Sequence, residues 1–188
     1  MTAIVDYKAG NLTSVRNAFA ALGVETVVTD DPDAIAAADR VVFPGVGAAR
    51  SAMENLCSLG LEGAVRDAAT SGRPFLGICL GMQILFDRSE EDGGTDTLGV
   101  IGGQVRRFPN VPGFKVPEIG WNMVEGLGEF YFVHSYYAEV VPETVGVTEY
   151  AGVRFTAMVR KGRLWACQFH PEKSGRIGLN LLKEWMSC

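Results

Sequence analysis

The feature that most constrains this chain is the run Phe75-Leu76-Gly77-Ile78-Cys79-Leu80-Gly81-Met82. Its first part is continuously apolar over a few residues, which reads as a buried strand of a sheet covered on both faces. Met82, Leu85 and Phe86 then carry the apolar pattern of a helix. The chain must therefore turn from strand to helix across Gly77–Gly81. A G-x-nucleophile-x-G sequence at such a junction is the arrangement of a nucleophile elbow. The turn is tight enough to hold its central residue in a strained backbone conformation, and the flanking glycines remove side chains that would clash. The Cys79 sulfur then projects above the C-terminal edge of the sheet, where open α/β sheets bind ligands. The helix N-terminus beside it favours a thiolate. Cys57, Cys167 and Cys188 lack this setting and read as ordinary structural thiols.

The surrounding pattern gives the elbow a sheet to sit on. Ala3–Tyr7 is a β-rich run, Val15, Ala18, Phe19 and Leu22 fall at helical spacing closed by Gly23, and Glu25–Val28 is a second strand, which together make a βαβ opening. Pro32–Ala38 is a short helix. Arg40–Phe43 is a third strand that runs into Pro44-Gly45-Val46-Gly47, and helices follow at about 49–56 and 61–71. The first half is thus α/β with a parallel sheet. Ser89–Thr97, rich in acidic residues around Gly93-Gly94, reads as a solvated loop. Beyond it come short β-prone runs at Val100, Val105, Phe108, Phe130–Val133, Ala138–Val141, Val145–Val147, Phe155–Val159 and Leu164–Phe169, with a tight turn at Lys161-Gly162-Arg163. These predict an additional antiparallel portion in the C-terminal half. Ile177, Leu181, Leu182 and Trp185 share one face of a final helix. There is no repeat and no linker, so residues 1–188 are expected to form one domain.

Composition narrows the function. Hydrophobic residues make up 47% and charged residues 21%, which excludes disorder as the main state. The net charge of −5 lacks the basic excess of a nucleic-acid binder. The apolar runs fall far short of the roughly 20 residues that span a bilayer, and the N-terminus shows no secretory leader pattern. A cytoplasmic enzyme or binding domain is the expectation. Four scattered cysteines without a CxxC pair, and only two histidines, give no zinc-site spacing, so no metal is expected.

A thiol nucleophile needs a base, and the base needs an orienting group. Gln168-Phe169-His170-Pro171-Glu172 supplies both at the end of a strand. Strand alternation puts Ala166, Gln168 and His170 on one face and Trp165, Cys167 and Phe169 on the other, so Cys167 points away from His170. Glu172 is close enough in sequence to accept a hydrogen bond from the imidazole. His134, in the aromatic run Tyr131–Tyr137, is the rival base; with no carboxylate near it in sequence before Glu139, it reads better as a pocket wall. Donors for a developing oxyanion are the Leu80 amide, directly after the nucleophile, and the Gly45-Val46-Gly47 turn.

These residues resemble the class I (triad) glutamine amidotransferases. The resemblance rests on Gly77-Ile78-Cys79-Leu80-Gly81-Met82-Gln83 and Phe169-His170-Pro171-Glu172-Lys173. It is extended by Pro44–Gly47, Trp121-Asn122, Tyr131–Tyr137 and the opening Asp6-Tyr7 with Gly10-Asn11-Leu12, and runs from about residue 3 to 185. It implies a class I glutamine amidotransferase fold in which Cys79 is the nucleophile, His170 the base and acid, and Glu172 its orienter. By the same resemblance Gly45, Gln83, His134, Ser135 and Tyr136 lie at the glutamine site, and Val46, Gly47 and Leu80 at the oxyanion site. Asn11, Glu118, Trp121 and Lys173 face a partner. That partner is implied to be a separate (β/α)8-barrel cyclase subunit, which receives the ammonia in a heterodimer.

Two departures touch the partner side. The family usually has a histidine ahead of its Gly-Trp-Asn, whereas here the run is Val116-Pro117-Glu118-Ile119-Gly120-Trp121-Asn122. The Met123–Phe130 stretch is also shorter than usual. The implied chemistry is hydrolysis of L-glutamine through a cysteine thioester, with no metal or organic cofactor. Other readings are the glutaminase subunit of another class I amidotransferase, a stand-alone cysteine hydrolase of similar fold, and a binding subunit with a dead site.

Overall fold

Glycine and proline punctuation divides the first eighty residues into strand–helix units. The computed structural model, which describes residues 1–188, follows that division. Strands β1 (Thr2–Val5), β2 (Thr26–Thr29), β3 (Arg40–Gly45) and β4 (Phe75–Cys79) alternate with helices α1 (Leu12–Ala21), α2 (Pro32–Ala37), α3 (Ala49–Ser58) and α4 (Glu62–Thr70). Asn11 Oδ1 accepts from Ser14 N–H at 3.3 Å to start α1, and Asp31 caps α2 with Pro32 in its first turn. After β4 comes a four-residue helix, α5 (Leu80–Gln83).

The rest is mainly β: β5 (Arg88–Ser89), β6 (Thr95–Asp96), β7 (Gln104–Arg107), β8 (Glu118–Val124), β9 (Gly128–His134), β10 (Tyr136–Ala138), β11 (Thr144–Tyr150), β12 (Val153–Lys161) and β13 (Leu164–Cys167). Helix α6 (Gly175–Met186) closes the chain. The main sheet runs β2-β1-β3-β4-β13-β12-β10-β7-β5-β6, with β11 on β12. From β2 to β13 the neighbours are parallel; β13–β12, β12–β11, β12–β10 and β10–β7 are antiparallel. The fold is therefore α/β, with a mostly parallel half extended by antiparallel strands.

Both faces of the parallel half are covered, which explains its apolar strands. On one side Phe43, Phe75, Leu56, Val65 and Ile35 pack beneath α2, α3 and α4. On the other, Phe19, Trp165, Phe169 and Trp185 pack beneath α1 and α6, with the Phe19 and Trp185 rings edge-on at 5.9 Å. No helix is long and apolar enough to cross a membrane.

Three local expectations change. The helix expected through Phe86 stops at Gln83, because Gln83, Ile84, Leu85 and Phe86 are all buried and the chain tightens into a turn, with Leu85 N–H on Met82 O and Phe86 N–H on Gln83 O. Val100 lies in a buried loop, where its N–H and that of Ile101 both reach Leu85 O at 2.8 and 2.9 Å. Ser89–Thr97 is more than a solvated loop: it contains β5, β6 and a 3-10 turn at Glu91–Gly93. Glu91 Oε2 accepts from Ala49 N–H at 2.7 Å, capping α3, whose own N-cap Ala48 has no side-chain acceptor.

Strand β8 was not anticipated. It pairs antiparallel with β9 in a separate two-stranded ribbon, with Glu118 opposite His134 and Trp121 opposite Tyr131.

Candidate active site

Three adjacent parallel strands end at one edge, and each delivers a functional segment there. In register, Gly45 of β3 lies beside Cys79 of β4, and Cys167 of β13 lies beside Ile78. The residues after these strand ends are Val46-Gly47, Leu80 and Gln168–His170. Cys79 sits at φ 56°, ψ −114°, a left-handed conformation that a side-chain-bearing residue adopts only under constraint. The constraint is visible at Gly81. A methyl group there would come within 3.0 Å of Phe43 C and closer still to Phe43 O, so the backbone of β3 abuts the elbow directly. At Gly77 a methyl would lie 2.9 Å from Gly81 O and 3.1 Å from the Ala166 methyl of β13. The two glycines let the turn close between its neighbours.

Around the thiol, Cys79 Sγ lies 3.9 Å from Val133 O and 3.7 Å from Gln168 Nε2, which donates towards it. The side chains of His170 and Glu172 are buried, at 3% and 1% exposure, and His170 Nδ1–H donates to Glu172 Oε1 at 2.7 Å. That bond leaves Nε2 as the free ring nitrogen, buried and without a hydrogen-bond partner. Burial by itself would lower the imidazole pKa. The Cys79 and Glu172 groups beside it more than reverse this and push it up to about 10. Both neighbours thus favour the protonated ring, the form that can hand a proton to a leaving group.

The cavity above these groups has a volume of about 300 Å³. Val46, Gly47, Cys79, Leu80, Gln83, Glu91, Val133, His134, Ser135, Tyr136 and His170 are among its lining residues. Gln83 Nε2 donates to Tyr136 O at 2.8 Å and to Gln168 Oε1 at 2.9 Å, tying α5 to the opposite wall. Gly45, expected at the substrate site, adjoins the lining residues Val46 and Gly47 and packs tightly against the elbow. A methyl on it would come within 2.8 Å of Gly81 N and 2.9 Å of Leu80 Cβ, and nearer still to the buried Tyr7 hydroxyl. A larger depression of about 700 Å³, between α1 and the edge strand β2, is lined by residues such as Arg16, Asn17 and Val27; it contains no thiol and no imidazole.

The residues expected towards a partner divide. Trp121 is 56% exposed, Lys173 is exposed above the Tyr131 ring, and Asn11 is half-buried at the head of α1. Glu118 is a correction. It is 3% exposed, on the inner face of β8, with Oε2 2.9 Å from His134 Nε2. Alternation along β8 sends Ile119, Trp121 and Met123 outward at 63%, 56% and 54% exposure, which leaves Glu118 and Val124 inside. His134 therefore does have a carboxylate, brought by strand pairing rather than by sequence proximity. Its two ring nitrogens are both engaged, so it is not free to serve Cys79.

Sequence reasoning missed Gln168 as a neighbour of the sulfur and Glu91 as a pocket carboxylate. Glu91 is half-buried, and burial raises its pKa. The absence of any capping side chain at Ala48 was the one signal that a distant acceptor was needed. No group of three or more His, Cys, Asp or Glu side chains is placed to hold a metal ion.

A thiol, an imidazole oriented by a carboxylate and a neighbouring glycine turn form a site able to perform nucleophilic acyl transfer. Comparison with known proteins agrees with that chemistry. Residues 3–186 match the family described as glutamine amidotransferase class-I. Among curated proteins, the imidazole glycerol phosphate synthase subunit HisH of Symbiobacterium thermophilum is 46% identical over 196 residues, covering 97% of this chain and 91% of that one. The protein of the same name from Moorella thermoacetica is 48% identical over 197 residues, covering 97% and 92%. Among solved structures, a glutamine amidotransferase superposes with a TM-score of 0.75 at 22% identity, over 99% of this chain and 97% of that one, a likeness of fold.

Proposed function

We propose, on the premise that this chain belongs to the class-I glutamine amidotransferase family, that it hydrolyses L-glutamine to glutamate and ammonia as the glutaminase subunit of an imidazole glycerol phosphate synthase, in the biosynthesis of histidine. Its likeness to the HisH subunits over nearly their whole length supports that assignment. The observation that carries the chemistry is the convergence of Cys79, at a strained elbow, with the buried His170–Glu172 pair in one cavity.

In this reading the Cys79 thiolate attacks the side-chain amide carbon of glutamine. The amides of Leu80 and of the Val46-Gly47 turn take the developing oxyanion. His170 protonates the departing ammonia and, now neutral, deprotonates the water that cleaves the thioester to glutamate. Glu172 holds the ring so that Nε2 is the working nitrogen. Gln83, Ser135 and Tyr136 provide the binding wall, and the Glu91 carboxylate at the cavity supplies an anionic partner for the α-ammonium of the substrate.

Free ammonia is mostly ammonium near neutral pH, so the product must pass directly to a second site. A (β/α)8-barrel cyclase subunit is the proposed recipient, docked against the exposed Ile119-Trp121-Met123 face, Lys173 and the Asn11 end. It would use the ammonia to make imidazole glycerol phosphate and aminoimidazole carboxamide ribotide.

The test is reconstitution with such a barrel subunit. Cys79→Ala should abolish glutamine-dependent synthesis while ammonium salt still supports the cyclase. Glutamine-dependent synthesis surviving in that variant would overturn the assignment. A strong glutaminase rate indifferent to the barrel would instead favour a stand-alone hydrolase.

A further inference from the structure

We propose that Glu118 and His134 form a buried pair sharing a single proton, and that this pair positions the wall of the cavity formed by Val133–Tyr136. The inference rests on the glutaminase reading for what enters the cavity, but the pair itself is argued from hydrogen-bond geometry alone.

The side chains of His134 and Glu118 are 2% and 4% exposed. The imidazole is boxed by the rings of Phe108, Phe132 and Phe155, with centroids 5.2, 5.5 and 5.3 Å away. His134 Nδ1 lies 2.7 Å from Tyr136 O, and a carbonyl only accepts, so Nδ1 carries a hydrogen. Nε2 lies 2.9 Å from Glu118 Oε2. A hydrogen must lie in that contact too. On nitrogen it makes an imidazolium and a carboxylate; on oxygen it makes a neutral imidazole and a carboxylic acid. With no proton two lone pairs would face each other, and with two protons two hydrogens would meet. Either permitted arrangement holds one proton and is neutral overall, which suits an aromatic enclosure. Glu118 cannot turn away, because its Oε1 accepts from Asn122 Nδ2 at 2.8 Å, and that amide also donates to Glu149 O at 3.0 Å.

What the pair holds is the Tyr136 carbonyl. That oxygen accepts from both His134 and Gln83, Gln83 also donates to Gln168, and Gln168 reaches the Cys79 sulfur. The residue before His134 places its carbonyl oxygen 3.9 Å from the same sulfur. Without an acceptor at 118, Nε2 would be stranded among three rings and the imidazole free to turn, releasing the wall from one end. Glu118 and His134 are thus positioning residues: they touch neither the sulfur nor the attacking water.

The experiment compares E118Q and E118L with the wild-type chain, each bound to its barrel subunit, by steady-state glutamine hydrolysis and by the 15N NMR spectrum of His134. In E118Q the amide N–H donates to Nε2 while the amide oxygen still accepts from Asn122. The neutral arrangement survives, so KM should stay within about threefold of wild type. E118L fills the space but bonds nothing, and KM should rise on the order of tenfold or more with a smaller fall in kcat. Alkylation of Cys79 by iodoacetamide, which needs no binding wall, should proceed at the wild-type rate in both. The E118Q spectrum should show Nδ1 protonated and Nε2 unprotonated.

A wild-type KM in E118L, or an E118Q variant as impaired as E118L, overturns the proposal. If E118L does not fold, the nitrogen spectrum of E118Q decides alone, and an unprotonated Nδ1 overturns it. Should the wild-type complex itself fail to hydrolyse glutamine, the glutaminase reading falls while that spectrum still tests the pair.

Discussion

Two glycines inside helices, given the same substitution, should respond in opposite senses. Gly178 lies in α6 where the helix crosses the turn after His170. A methyl there would come 2.7 Å from Pro171 C and 3.0 Å from Pro171 Cα, and closer still to Pro171 O. Non-bonded carbons settle at roughly 3.5–4.0 Å, so the turn must retreat by about 1 Å. Every atom met belongs to backbone, which cannot swing aside as a side chain can. Overpacking of this kind lies near the upper end of the usual range, about 3 kcal/mol, and the better helix propensity of alanine returns about 1. Gly178→Ala should therefore lose roughly 2 kcal/mol, or about 6 °C in Tm for a chain of this size.

The retreat also carries His170 and Glu172, the residues flanking the wall of that contact, and a shift of about 1 Å in a catalytic group can reduce turnover on the order of a hundredfold. Gly63, in the first turn of α4, is exposed with nothing near its missing side chain; Gly63→Ala should gain up to about 0.5 kcal/mol and leave activity unchanged. Urea unfolding at constant m-value reads the first quantity and glutamine hydrolysis in the complex reads the second. If Gly178→Ala kept wild-type activity, α6 would be able to slide without moving the base, and the coupling argued here would be wrong.

Two further outcomes follow from the site and its rim. Activity should fall as pH rises through the raised His170 pKa, because the imidazolium is the acid that protonates departing ammonia. Glu172→Gln removes one of the anions that hold the proton on the ring, so the alkaline limb of the pH–rate profile should move to lower pH; a limb that stays put would exclude Glu172 as the orienting group. Trp121→Ala, at a residue 56% exposed, should change unfolding free energy by no more than about 0.5 kcal/mol yet weaken capture of the barrel subunit on the order of tenfold. Equal affinity in a binding titration would move the proposed interface elsewhere.

The parallel half and the elbow were legible because their signals are local. Phe75–Ile78 is apolar at consecutive positions, Gly77 and Gly81 bracket one cysteine, and His170 and Glu172 are two residues apart. What stayed hidden depends on pairing across the chain. Glu118 reads as a surface charge until β8 is laid against β9, because the alternation of Ile119, Trp121 and Met123 with polar residues and glycine would ordinarily put the apolar set inside, whereas here it faces outward. Glu91 looks like one more acid in a solvated run, and only the bare N-terminus of α3, forty-two residues earlier, makes it a cap. Gln168 falls on the predicted face beside His170, yet nothing in its neighbours tells that Gln83 will hold it against the sulfur. Gly45, placed at the glutamine site by resemblance, also serves a packing role that only the structure displays: it makes room for Tyr7 and the elbow.

The two kinds of legibility correspond to two kinds of mechanical support. The sulfur is fixed by β3, β4 and β13, whose continuous parallel ladder and covered faces leave the elbow little freedom. The opposite wall rises from the β8–β9 ribbon, and a two-stranded ribbon is marginal without outside packing. Here that packing comes from Val124, Phe130 and Phe132, buried in the core beside Phe169, and from specific hydrogen bonds. His170 N–H donates to Tyr131 O at 2.9 Å, Tyr131 N–H to Ser174 Oγ at 3.0 Å, and Thr148 Oγ1 to Met123 O. The inner face carries the Glu118–His134 pair, and the outer face presents Ile119, Trp121 and Met123. A partner docked on that outer face would bear on the same ribbon that supplies Val133 and His134 to the cavity and accepts a hydrogen bond from the backbone of His170.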